Sequence, residues 1–174
     1  MKLFLFINSL LVFIALESKS QLVVDGLPAF LVQAKIQTYA SGDETIIKKC
    51  EAGCKEITYS NGYFRYRDRY FGEYNFCGEE IVWQNDTPKW SMNYIGFTYN
   101  SMKIPEEFPH FLKEALQKVD KDYPFRGPRL YSKNEFEYTN SYEGNLKDFN
   151  GIERIKFNGK EIYKLYYHGG EIVY

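Results

Sequence analysis

Residues 64–96 and 136–169 carry one pattern twice. At an offset of 72, Phe64, Tyr66, Tyr70 and Gly72 fall on Phe136, Tyr138, Tyr142 and Gly144, and Asp68 falls on Asn140. One inserted residue moves the offset to 73. Phe76, Gly78, Glu80, Val82, Asn85, Met92, Tyr94 and Gly96 then fall on Phe149, Gly151, Glu153, Ile155, Asn158, Leu165, Tyr167 and Gly169. A unit of this size cannot bury its apolar face alone, so two copies must join their sheets or pack against one another.

Each block follows a segment with helical spacing. Leu27, Phe30, Leu31 and Ala34 predict a helix from Leu27 to Tyr39, with Pro28 in a first turn that tolerates it. Phe108, Phe111, Leu112, Ala115, Leu116 and Val119 predict a second, opened by Pro105, Glu106 and Glu107. Strands are expected at Ile57–Tyr59, Tyr63–Tyr70, Phe76–Trp83, Lys89–Ile95, Asn134–Tyr142, Phe149–Phe157 and Lys160–Tyr167. Asn61-Gly62 and Asn158-Gly159 are hairpin turns in this reading, because both central positions of such a turn need positive φ. Asn85-Asp86-Thr87-Pro88 joins two further strands. The 16 tyrosines suit half-buried strands, where the ring packs and the hydroxyl stays near water. The expected fold class is α+β: a duplicated helix-plus-antiparallel-meander unit forming one pseudosymmetric domain, with repeats over about residues 27–97 and 105–174.

Met1-Lys2, an apolar run from Leu3 to Leu16, and small residues at Ser18 and Ser20 read as a signal peptide over residues 1–20. The run is short for a membrane span and no second one follows, so no stable membrane anchor is expected after cleavage. The mature chain, 21–174, would be secreted or periplasmic. Loss of Lys2, Lys19 and Glu17 takes the formal charge from −1 to −2, which gives no reason to expect nucleic-acid binding.

In an oxidising compartment Cys50 and Cys54 are a disulfide candidate; two free thiols are the other reading. A metal site is not expected, since neither His110 nor His168 shows ligand spacing. Cys77 reads as a small buried residue.

Strand alternation puts Phe64, Tyr66, Asp68 and Tyr70 on one face, and Arg65, Arg67 and Arg69 on the other. Glu80 and Glu153 fall among inward-facing neighbours, where acids seldom sit without a partner. Two readings stand side by side. One is a cleft with Glu80 and Glu153, edged by Asp68, Asn140, Tyr70 and Tyr142, suited to a cationic or hydroxyl-rich ligand or to acid–base work on a glycoside-like substrate. In the other, each Glu is held by its own hairpin as part of the fold. His168 breaks the internal match, its counterpart being Ile95, and joins the candidates. The arginine row is a solvated strand face or an anion reader. Trp83 and Trp90 are core or a stacking surface.

The stretches Lys35–Ala40, Tyr66–Gly96, Tyr123–Pro128 and Tyr167–Gly170 carry a family likeness. With its Gly-Glu-Glu-Ile segment and the later Trp-Ser-Met-Asn-Tyr-Ile-Gly, the chain resembles the bacterial family called domain of unknown function 5680, from about Leu27 to the C-terminus. Members are often joined to a helix-turn-helix, which implies a ligand-sensing or regulatory module. Here a signal peptide stands in place of a DNA-binding part, and the Cys50–Cys54 stretch departs from the family's polar loop. The resemblance brings no catalytic residues with it. The functional expectation is a non-enzymatic, sensor-like module that binds a small molecule between its halves, without cofactor. The alternatives are a small hydrolase with paired carboxylates, or an envelope or immunity-type protein that binds a protein partner.

Overall fold

The computed structural model describes residues 26–99 and 104–174; the expected signal peptide lies outside the described residues. The first segment holds α1 (Leu27–Gln37), two short helical turns at Tyr39–Ser41 and Glu44–Ile46, and strands β1 (Lys48–Lys49), β2 (Cys54–Asn61), β3 (Phe64–Gly72), β4 (Asn75–Gln84) and β5 (Thr87–Thr98). The second holds α2 (Phe108–Leu116), β6 (Leu130–Lys133), β7 (Phe136–Asn145), β8 (Asp148–Phe157) and β9 (Lys160–Glu171).

The strands form one antiparallel sheet in the order β1-β2-β3-β4-β5-β9-β8-β7-β6. The two meanders meet where β5 pairs with β9, from Trp90 opposite Glu171 to Thr98 opposite Tyr163. This corrects the expected fold class. The described residues are mainly β, one continuous nine-stranded sheet with two short helices, and not an α+β fold of duplicated helix-plus-meander units. The helical periodicity is real but spans only 11 and 9 residues. Strands of 8 to 12 residues set the architecture.

Alternation decides which face is covered. Phe64, Tyr66, Val82, Trp90, Met92, Phe136, Tyr138, Phe149, Ile155, Tyr163, Leu165 and Tyr167 are buried on the inner face, beneath Phe30, Leu31 and Ala34 of α1 and Phe111, Leu112 and Ala115 of α2. Removing this apolar area from water is the main stabilising term. Ion pairs cross the outer face, including Arg67–Glu79 at 3.1 Å and Arg69–Glu56 at 2.5 Å, and the arginine row belongs there. Trp83 lies beneath Arg65 and Arg67 on that face, whereas Trp90 is in the core.

Local corrections have simple causes. Asn61 ends β2, and the turn is Gly62-Tyr63, with only Gly62 at positive φ. The Asn85-Asp86 and Asn158-Gly159 turns have both central residues at positive φ, as hairpin twist requires. Cys77 is exposed, because it alternates with the inward Phe76 and Gly78. Cys50 and Cys54 are disulfide-bonded, with Cα atoms 5.4 Å apart at the β1–β2 turn. Among the described residues, no helix is long and apolar enough to cross a membrane.

Candidate functional site

A cavity of about 430 Å³ lies over the inner face of the first meander, roofed by the end of α1, by α2 and by the connector that follows α2. Its polar floor is made by three neighbouring strands. Asp68 on β3 stands directly opposite Glu80 on β4. Tyr94 on β5 stands opposite Gly78, one alternation along from Glu80. A side chain at Gly78 would collide with the Tyr94 ring. Glycine therefore lets that ring lie across β4, and the Tyr94 hydroxyl donates to Oδ1 of Asp68 at 2.7 Å.

The second meander repeats this geometry with one change. Asn140 stands opposite Glu153, and the Tyr167 ring crosses Gly151 to donate to Oδ1 of Asn140 at 2.8 Å. Nδ2 of Asn140 donates in turn to the Gly127 carbonyl at 3.0 Å. An ionised aspartate has no such donor to offer. Its meander has open cavity beside Asp68, where the other has connector backbone.

Each glutamate has a cation. Lys35 of α1 pairs with Glu80, and Arg126 of the connector grips Glu153 with two hydrogen bonds, Nε at 3.0 Å and Nη2 at 3.1 Å. Glu153 also accepts from the hydroxyls of Tyr138 at 2.7 Å and Tyr163 at 2.9 Å, so its 0 % exposure leaves it fully partnered. Asp68, only 5 % exposed, has no ion pair among the described residues.

The charges follow from this arrangement. Burial, and then the nearby Glu80, push the Asp68 carboxyl up to about 7, against the Tyr94 hydrogen bond and the more distant Lys35 and Arg126. Burial lowers Lys35, and Glu80 partly restores it. Burial alone would lower Arg126, but Glu153, Tyr163 and Tyr138 raise it, so it stays charged. Burial raises Tyr66 and Tyr94, and the acids add to this; both remain neutral phenols able to donate. Tyr70, at the margin, is pushed up to about 12 by burial and by Asp68.

Of the expected site residues, the cavity brings together Asp68, Tyr70 and Glu80. Two strands, β5 and β9, separate the strands of Glu80 and Glu153, so these acids do not form one pair. Glu153 and Asn140 are sealed beneath the connector. Tyr142 is half-buried beside it, packed on Tyr123 and Arg129. His168 is exposed on the outer face, aligned with Asn93 and Asn150. Among the described residues, no group of three or more His, Cys, Asp or Glu side chains could hold a metal ion.

Comparison with protein-family models gives a match over residues 68–172, more than half of the chain, to the domain of unknown function DUF5680. The chain belongs to this family. The DUF5680 match begins at Asp68 itself and spans Glu80, Tyr94, Arg126 and Glu153; α1 and its Lys35 precede it. No curated protein and no solved structure matches the chain.

Lys35 and Arg126 escaped the sequence reading. Lys35 did leave a signal, since it sits four residues after Leu31, on the apolar stripe of α1. Arg126 left none, because a connector has no periodicity from which to infer burial.

Proposed function

We propose that the protein is an exported, non-enzymatic binding module that holds a small molecule in the cavity over β3, β4 and β5. The observation that supports this most is Asp68, a buried acid with no ion pair among the described residues, at the edge of a space of ligand size. A carboxylate in that position costs free energy unless something pairs with it. Asn140 shows that the fold is satisfied by an uncharged residue at the matched point. About 430 Å³ falls within the usual range of small-molecule sites, and aromatic side chains such as Tyr66, Phe76, Tyr94 and Phe125 line it beside a few charged ones. The leader over residues 1–20 supports a secreted or periplasmic location.

The hydrolase alternative needs a carboxyl free to move a proton beside a second poised acid. Glu80 is tied to Lys35, and Glu153 to Arg126 and two tyrosines, which favours binding over turnover. The test is a thermal-shift screen of metabolites and glycans. At least one compound should raise the melting temperature by several degrees, as ligands specific for the native state do, and Asp68→Asn should remove the shift. Conversion of that compound to product would make the protein an enzyme. No shift at all, with a protein partner that co-purifies, would leave an interaction role instead.

A further inference from the structure

We infer that the ligand is an organic cation, an amine or quaternary ammonium on an apolar body, held by Asp68 inside a ring of aromatic side chains. This rests on the binding reading above and names the ligand class for the same site. The buried cluster holds three acids, Asp68, Glu80 and Glu153, and two cations, Lys35 and Arg126. Both cations are spent on the glutamates, and Asp68 is left with a phenol. A ligand cation would supply the missing counter-charge. The aromatic lining of Tyr66, Tyr70, Phe76, Tyr94, Phe125 and Tyr163 suits a positive charge over its ring faces and an apolar body between them. An anion would meet Asp68 and Glu80 within and Glu44 and Glu73 at the margin, and the three cations of the lining, Lys35, Arg126 and Lys55, are each already paired with a glutamate.

Binding is then linked to pH. The groups facing Asp68 are Glu80 from β4, Tyr94 from β5, Lys35 from α1, Tyr39 from the turn after it and Arg126 from the connector, with Tyr66 and Tyr70 on its own strand. With an Asp68 pKa of about 7, the carboxyl is mostly ionised at pH 8 and mostly protonated at pH 5.5. Affinity for a permanently charged amine should fall about 30-fold between those values, in step with the competent fraction.

The experiment is isothermal titration of the mature protein with three probes of one shape: phenethylamine, 2-phenylethanol and 3-phenylpropanoate. At pH 8 the amine should bind at least tenfold more tightly than the alcohol, and the carboxylate weakest of all. The amine's advantage should fade at pH 5.5. It should vanish at both pH values in Asp68→Asn. An advantage that survives Asp68→Asn, or a carboxylate that binds best, overturns the cation inference. Equal binding of alcohol and amine also overturns it, yet leaves the cavity a binding site. No binding by any of the three overturns both.

Discussion

At the matched point of the two meanders, Asn140 both accepts and donates, from Tyr167 and to Gly127, while an ionised Asp68 can only accept. That difference has a measurable consequence for stability. Asp68 titrates near 7 in the folded protein and at its ordinary value of about 3.8 when unfolded. Between those values the folded state keeps a proton that the unfolded chain has released. Stability therefore falls as pH rises through the window, and the loss is complete above about 7. Its size is on the order of 4 kcal/mol. Asp68→Asn should remove this slope. The variant should be more stable than the wild type at pH 8 and about equal to it near pH 3.5, measured by urea unfolding at each pH. A variant less stable at pH 8 would mean that the Asp68 carboxylate has a counter-charge in the folded protein.

The connector after α2 does for the second meander what no backbone among the described residues does for the first. Phe125 stacks on Phe149 at 3.9 Å between ring centroids, Arg126 clamps Glu153, and Gly127 caps Asn140. Removing the clamp leaves a carboxylate at 0 % exposure with only two phenols. Arg126→Ala should cost about 3–5 kcal/mol, as breaking a buried pair does. Arg69→Ala, which breaks a half-exposed pair on the outer face, should cost about 1 kcal/mol or less. Urea midpoints of the two variants check this contrast. The sequence disclosed the elements unequally. Strands β3, β4, β5, β7, β8 and β9 were legible because each is long enough to alternate clearly. The edge strands β1 and β6, with 2 and 4 residues, carry too little pattern to announce themselves. The Asn61-Gly62 turn lay one residue off, since Asn61 is buried and pairs with Phe64 in the ladder.

Across the whole molecule, the two meanders share one sheet and the helices roof one face of it. Matched acids on β4 and β8 therefore end up with two strands between them rather than across a cleft. Alternation along each strand predicted which acids face inward, and Asp68 and Glu80 do meet at the cavity. It could not predict which acids would be neutralised, because Lys35 and Arg126 arrive from elements outside the sheet. The roof is also why the cavity sits over one meander only, the other being filled by the connector. The most direct measurement is the pKa of the Asp68 carboxyl, followed by carbon-13 NMR of the protein with and without saturating phenethylamine. A value of about 7 in the free protein, falling by more than one unit in the complex, is expected. A free value near 4, or one that the amine leaves unmoved, would contradict a cavity built around an unpaired acid.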